Sequence, residues 1–160
     1  MSHLEKLIYQ YYEWKDYIVR NNIKVGRLSH GGWECELDIV GYHPQSNHLV
    51  HIETSIDAYS WAKREERFKK KFHAGQKYIH SEVFPWLDKS VKIEQIAVLI
   101  STGIGREKLA GGKIVSIDQF VKVVKDDITK RGIIAKNAIP EQYDLLRTIQ
   151  MAICGYYKIV

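Results

Sequence analysis

Few cysteines and no long apolar run limit what this chain can be. Its 160 residues include only two cysteines, Cys35 and Cys154, which are too few for a disulfide framework or a four-cysteine zinc site. No stretch approaches the roughly 18 apolar residues of a membrane span. The residues after Met1 lack the charged and then apolar layout of a signal peptide. We therefore expect a cytoplasmic protein in a reducing compartment, without a membrane partner.

Repeats, linkers and phosphate-binding loops are missing as well. The segment Gly103-Ile104-Gly105-Arg106 lacks the lysine and the spacing of a Walker motif, so we interpret it as a turn. The sequence contains no internal repeat and no low-complexity tract. Its length predicts a single domain over residues 1–160, long enough to bury a hydrophobic core.

Acidic residues are the minority charge. The chain carries 24 lysines and arginines against 19 aspartates and glutamates, which gives a net charge of +5. A basic surface favours a phosphate-bearing partner, because neutralised phosphates release their counterions. Since many enzymes of small molecules are equally basic, the placement of the acids is more informative than the total charge.

Three acids stand at alternate positions in residues 33–40. Successive side chains of a strand point to opposite faces, so Glu34, Glu36 and Asp38 are predicted to share one face. Aligned carboxylates repel each other and need a compensating partner. A divalent cation is the obvious candidate, because hard cations prefer oxygen ligands.

A second predicted strand over residues 49–55 supplies the rest of the site. The same alternation puts His51, Glu53 and Ser55 on a common face. If the two strands are neighbours, Asp38 and Glu53 lie on one surface and form the nucleus of a metal site. For His51 two readings stay open at this point, a metal ligand or general base and a histidine at the rim of the site.

The apolar spacing predicts the remaining elements. An amphipathic helix is predicted over residues 4–19, ended by Asn21 and Asn22, and a strand over 23–28 follows. A long basic helix is predicted over 58–80 with Asp57 as its N-cap. Beyond it we expect a central strand over 93–100, a short strand over 113–115 and two helices. The first of these begins in a capping box of Ser116 and Gln119, and the second begins at Pro140.

This order of elements and acids resembles the PD-(D/E)XK nuclease superfamily. An early helix precedes the acidic strand, which ends Glu36-Leu37-Asp38-Ile39-Val40. The next strand ends His51-Ile52-Glu53-Thr54-Ser55, and the basic helix follows it. The resemblance covers roughly residues 4–101 and implies an α/β fold with a restriction-endonuclease-like αβββαβ core. A mixed sheet flanked by helices is expected, with extra helices in an extension over residues 102–160.

The resemblance also implies a metal site and its ligands. In that superfamily the strand aspartate and the glutamate of the next strand hold Mg²⁺, which makes Asp38 and Glu53 the expected ligands and catalytic carboxylates. Mn²⁺ is an expected substitute for Mg²⁺. Glu36, on the same predicted face, is a candidate for a second ion or for orienting the first. A glutamate of the first helix joins the site in many relatives, and here Glu5 and Glu13 are alternatives.

One residue departs from the superfamily pattern. A lysine is expected two positions after the glutamate, but the triplet reads Glu53-Thr54-Ser55. Some members supply this lysine from the following helix. On that helix we favour Lys69, because its helical angle puts it on the flank of the apolar stripe, and we keep Lys63 in reserve as the lysine nearest Ser55.

The expected activity is therefore Mg²⁺-dependent hydrolysis of phosphodiester bonds in nucleic acid, with DNA ahead of RNA. Cutting both strands of a duplex would favour a homodimer. Because Ser55 replaces the lysine, the alternative is an inactive nuclease-like domain that binds nucleic acid or a protein partner. A metalloenzyme acting on a small molecule is the third reading, and no substrate-pocket motif supports it.

Overall fold

The structure, a computed structural model, describes residues 1–156. One helix and three strands come first: α1 (His3–Trp14), β1 (Ile18–Arg27), β2 (Trp33–His43) and β3 (His48–Ser55). The long helix α2 (Trp61–Tyr78) follows and continues as a π-helical turn over Ile79–Val83. The rest comprises β4 (Ile93–Leu99), β5 (Lys108–Leu109), β6 (Gly112–Ser116), α3 (Ile117–Arg131), α4 (Ile134–Asn137) and α5 (Asp144–Ile153).

All six strands form one mixed sheet in the order β1-β2-β3-β4-β6-β5. The first three strands are antiparallel neighbours, whereas β3, β4 and β6 run parallel. The predicted α/β class with a mixed sheet is thus confirmed. After residue 101 the chain adds β6 to the same sheet, where a short strand over 113–115 was predicted, and also β5, so the extension is not purely helical. The last four residues of the predicted extension lie outside the described part of the chain.

Helices cover both faces of the sheet. On one side α1, α3 and α5 pack on strand residues such as Ile39, Ile52 and Val98. On the other side α2 and the turn after it pack on two clusters, one around Leu37 and one around Leu99. Within residues 1–156, no helix combines the length and the apolar character that a membrane crossing requires.

The first helix is shorter than its apolar pattern predicts. It ends at Trp14, since Asp16 takes a left-handed φ of 65° that no helix can continue. The strand that follows begins at Ile18 and contains Asn22, which was predicted to end the helix. Asn22 does adopt a left-handed φ, of 50°, but it does so inside β1.

The helix starts are partly as predicted. Ser116 and Gln119 form the expected capping box of α3. The N-cap of α2 is Ser60 and not Asp57, because the Asp57 carboxylate binds arginines of α2. The last helix begins at Asp144, after a turn at Pro140.

An ion pair between the first and last helices gives a test of this packing. Lys6 lies 2.8 Å from Asp144, and hydrogen bonds from Lys6 and Gln10 lower the pKa of Asp144 to about 2. Because the pKa is lower in the folded state, this carboxylate stabilises the fold above about pH 4, and the contribution is lost as the pH falls toward 2. We expect Asp144→Asn to be less stable than the parent at pH 7 and equal to it near pH 2. Urea denaturation between pH 7 and pH 2 measures the difference in the free energy of unfolding between the two proteins. A difference that does not become smaller as the pH falls would contradict the stabilising role of this ion pair.

Candidate active site

Two strand carboxylates meet a single ammonium group beneath α2. Lys71 Nζ lies 2.5 Å from Glu53 Oε2 and also contacts Asp38 Oδ1. Glu53 is only 1% exposed and Asp38 only 9%. The structure thus brings together the two acids that the sequence analysis placed on one surface.

The two carboxylates also replace backbone hydrogen bonds between β2 and β3. The regular pairing runs as far as Ile39 opposite Ile52, so Asp38 comes next to Glu53 in register. The Asp38 N–H donates to Glu53 Oε1 at 3.1 Å, and the Thr54 N–H donates to Asp38 Oδ2 at 2.9 Å. Each acid is therefore held by the main chain of the other strand, which fixes both side chains before any ligand binds.

His51 is fully buried and orients Glu53. Its Nε2 lies 2.8 Å from Glu53 Oε1, and its Nδ1 lies 3.2 Å from the amide nitrogen of Gln95. Because that amide nitrogen can only donate, Nδ1 accepts and Nε2–H donates to Glu53. The same amide also donates to the Phe72 carbonyl at 2.8 Å, which holds Gln95 in place. His51 is thus buried and not at the rim of the site, and both of its ring nitrogens are bonded, one to Glu53 and the other to Gln95.

The second oxygen of Glu53 faces the Lys71 ammonium. Oε2 is buried and lies 2.5 Å from Lys71 Nζ. Burial raises the pKa of Glu53, because it penalises the charged form more than His51 and Lys71 stabilise it. A buried carboxylate needs a positive partner close by, and here Lys71 supplies it.

The other two groups of the cluster remain charged. Burial opposes the charge of Lys71, but Glu53 and Asp38 outweigh it and raise the pKa of the ammonium above its ordinary value. Burial also opposes the charge of Asp38, yet Lys71 and Thr54 lower the pKa of this carboxyl below its ordinary value. One ammonium faces two carboxylates, so the cluster has an unbalanced negative charge whenever both acids are ionised.

The lysine at the site is Lys71, not Lys69 or Lys63. Lys69 is exposed, and the Lys63 ammonium lies 3.9 Å from the ring of Tyr59. The buried side of α2 includes Arg64, Phe68 and Gly75, which are spaced by four and seven residues. Lys71 lies on the same side of the helix, because it is three residues after Phe68 and four before Gly75. The apolar stripe predicted from the sequence consists of large residues, namely Trp61, Phe68, Phe72 and Ile79. It omits the small, buried Gly75, and Lys71 was therefore not identified.

Glu36 does not join the cluster. It is exposed, and its carboxylate accepts a hydrogen bond of 3.4 Å from the Asn22 side chain. Glu34 lies apart too, bonded to Tyr78 and to Lys77 of α2. The acids were predicted to share a face, but the regular pairing of β1 with β2 is interrupted at Asn22, opposite Asp38. Strict alternation therefore does not hold along β2.

Ser55, at the expected lysine position, belongs to a neighbouring polar network. Its hydroxyl donates to Asp57 at 2.6 Å, and Asp57 also binds Arg67 at 2.8 Å. The buried Arg64 donates to the main-chain carbonyls of Asp57 and Ser101, which ties together the loops after β3 and β4.

An open cleft of about 200 Å³ lies beside this network. It is lined by Ser2, Glu5, Thr54, Ser55, Ile56, Asp57 and Arg67. Of the two glutamates considered on the first helix, Glu5 lines this cleft, with its carboxylate bonded to Ser2. Glu13 instead accepts a hydrogen bond from Tyr9 at 3.1 Å. Thr54, which also lines the cleft, connects it to the cluster through its hydrogen bond to Asp38.

The donor atoms fit a hard divalent cation. Among residues 1–156, no group of three or more histidines, cysteines and acids is close enough to enclose a metal ion. Mg²⁺, however, is commonly held by one or two carboxylates, with waters and substrate phosphates completing its shell. Asp38 Oδ1 and Glu53 Oε2 would supply that pair, since both already reach one positive centre, the Lys71 ammonium.

Removing the ammonium tests this interpretation directly. We expect Lys71→Met to lower the free energy of unfolding at pH 7 by about 3 kcal/mol, because it leaves two buried carboxylates uncompensated. Without Lys71 the carboxyl pKa values rise above their unfolded values, so the loss should shrink as the pH falls toward 5. Mg²⁺ should raise the melting temperature of Lys71→Met more than that of the parent. Lys70→Met, at an exposed neighbour, is the control, and equal stability and metal response of both variants would refute the scheme.

The close approach of Gly75 to His51 gives a second test. A Cβ at position 75 would lie 2.3 Å from His51 Nδ1, so alanine there must displace the imidazole. We expect Gly75→Ala to cost about 1–3 kcal/mol of stability through this clash, although alanine favours a helix. In a His51→Ala background the imidazole no longer occupies this space. Gly75→Ala should then raise the free energy of unfolding by up to about 1 kcal/mol, because alanine favours the helix. Urea unfolding of the four proteins measures the coupling, and additive effects would show that the contact is unimportant.

No family model matches the sequence, and a comparison with curated proteins gives no significant match. The function of the chain has therefore to be inferred from its own side chains. The features that bear on it are the Asp38–Glu53–Lys71 cluster and the cleft beside Ser55.

Proposed function

We propose that this protein is a Mg²⁺-dependent nuclease that hydrolyses phosphodiester bonds of nucleic acid, with DNA as the main substrate. The observation that carries the proposal is the convergence of Asp38, Glu53 and Lys71 on one point, with Thr54, bonded to Asp38, lining an open cleft. Two carboxylates and an ammonium, fixed on adjacent strands and the following helix, are the groups that metal-assisted phosphate hydrolysis uses. The excess of basic residues is consistent with a phosphate-bearing substrate.

In this proposal Asp38 Oδ1 and Glu53 Oε2 would hold Mg²⁺, or Mn²⁺ as a substitute. When bound, the ion would lower the pKa of a water and balance the charge that develops on phosphorus. The protein keeps the two oxygens in place through the Thr54 N–H, the Asp38 N–H and His51. Glu36 supplies no ligand in this scheme, because its carboxylate is bonded to Asn22.

Lys71 takes the role of the superfamily lysine that Ser55 lacks. Because its pKa is raised, it stays protonated near neutral pH and cannot act as a general base. Its ammonium can donate to a phosphate oxygen and stabilise negative charge there. Burial at the base of the cluster limits how far this side chain can move, so the charge is already in position when a substrate binds.

A second candidate function is binding without cleavage. The observation in its favour is that Lys71 already contacts both carboxylates and so stabilises the cluster without a metal ion. In that case the acids would be structural, and the domain would bind nucleic acid or a protein partner through other surfaces. The two candidates differ in whether Mg²⁺ binds at Asp38 and whether a phosphodiester bond is then broken.

Replacing Asp38 separates these candidates. We expect Asp38→Asn to reduce Mg²⁺-dependent nicking of a supercoiled plasmid by about a hundredfold or more, since even the loss of a group that only orients a metal ligand costs roughly 10–100-fold. The amide keeps an oxygen for the Thr54 N–H, so the fold should be retained. Mg²⁺ should raise the melting temperature of the parent and not that of the variant. Gel electrophoresis and thermal melting give both readouts.

The matched control is Glu36→Gln, which removes the same charge two residues away on an exposed side chain. It should keep the parent's nicking activity and metal response. Undiminished nicking by Asp38→Asn would refute the nuclease proposal, and a metal-dependent melting shift without any cleavage would favour the binding domain. Parallel reactions on single-stranded DNA and RNA identify the substrate, and light scattering tests for the homodimer that cutting of both strands would favour.

A further inference from the structure

A second charged surface lies at the β5 edge of the sheet. The nearby parallel strands β3, β4 and β6 end in register, with Ser55 opposite Leu99 and Leu99 opposite Ser116. Neighbouring strands are about 4.8 Å apart, so Ser116 lies about 10 Å from Ser55 across the sheet. Ligands of such sheets bind outside the carboxyl ends of the strands.

A cleft of about 440 Å³ opens beside the end of β6. Three cations, Arg106, Lys108 and Lys113, line it together with the single acid Glu107. Lys108 and Lys113 are exposed and stand directly opposite each other in the antiparallel pairing of β5 and β6. Like charges in such a pair are destabilising, and an anion between them would relieve the repulsion.

The loop above the cleft is unusual in its exposure. Ile104 is 104% exposed, and it is flanked by Gly103 and Gly105, each with a φ of +70°. The next residue, Arg106, is held with its guanidinium 4.2 Å from the ring of Trp61. The loop therefore presents a large apolar side chain at its tip, directly beside a fixed cation.

We propose that this cleft binds the backbone of the nucleic acid on which the Asp38–Glu53 site acts, with Ile104 packed against its sugars and bases. The inference rests on the proposed function, and the charges argue for this partner. Three cations against one acid match a polyphosphate chain, and apolar side chains at such surfaces pack into the groove or between bases. At a rise of 3.4 Å per nucleotide, the roughly 10 Å between Ser55 and Ser116 corresponds to about three nucleotides.

Binding measured without cleavage tests the cleft separately from the chemistry. The probe is a fluorescein-labelled DNA duplex in EDTA, followed by anisotropy over a series of KCl concentrations. We expect the double variant Lys108→Ala with Lys113→Ala to bind about tenfold more weakly at low salt. Its slope of log Kd against log salt should fall by about 2, because two phosphate contacts are lost. The control is Lys125→Ala with Lys136→Ala, two exposed lysines of α3 and α4, which should match the parent.

Ile104 provides a readout that is independent of charge. Ile104→Ala should weaken binding about fivefold at every salt concentration without changing the slope, as expected for lost apolar burial. Ile133→Ala, at an exposed isoleucine before α4, should have no effect. Thermal melting of every variant confirms that the fold is retained.

Three outcomes would overturn the inference. They are parent-like affinity and slope in the Lys108 and Lys113 variant, an equal loss in the control pair, and no DNA binding by the parent protein in EDTA. In each case plasmid nicking by the parent protein tests the nuclease proposal independently. Failure of the cleft inference can therefore be distinguished from failure of the nuclease proposal. If all the cleft variants bind DNA like the parent, the cations of the cleft would instead fit an acidic protein surface.

Discussion

A buried ammonium between two buried carboxylates is the interaction on which the rest of this structure depends. Removing each such charge from water costs several kcal/mol, and only close ion pairs and hydrogen bonds offset that cost. Lys71 must therefore reach both Asp38 and Glu53, which requires α2 to cross the sheet over β2 and β3. The helix packs close because it presents Gly75 where His51 lies, and a larger residue would hold it away.

The groups around the cluster hold the oxygens without neutralising them. Neutral N–H donors, from the main chain of Asp38 and Thr54 and from the His51 ring, fix the two carboxylates. Such donors fix the orientation of the carboxylate groups and leave the net charge of the cluster unchanged. The remaining oxygen of Glu53 faces the Lys71 ammonium, although Glu53 is almost completely buried. The surrounding groups therefore hold one oxygen of each carboxylate toward a single positive centre.

The sequence predicted the pair of carboxylates but not the groups that support them. Asp38 and Glu53 could be found because both lie on adjacent strands of a hairpin, where local alternation and register are simple. Lys71 could not, since its position depends on how α2 is rotated against the sheet, and Gly75 contributes to that packing with no side chain of its own. Glu36 was predicted on the wrong face for a similar reason. The left-handed Asn22 interrupts the pairing of β1 with β2 opposite Asp38, and this interruption cannot be predicted from the spacing of apolar residues.

The charges of the cluster also explain why it would need both an ion and a substrate. Two carboxylates and one ammonium leave a charge of −1, which favours a cation. A divalent cation changes the total to +1, so the repulsion between the ion and Lys71 is then uncompensated at short range. A phosphodiester carries a single negative charge and restores neutrality. On this count an ion would bind more tightly with the substrate present than to the free protein, and Lys71 is already in position to face the phosphate. The ammonium that stabilises the fold in the absence of ligand is thus the same group that would stabilise negative charge during hydrolysis.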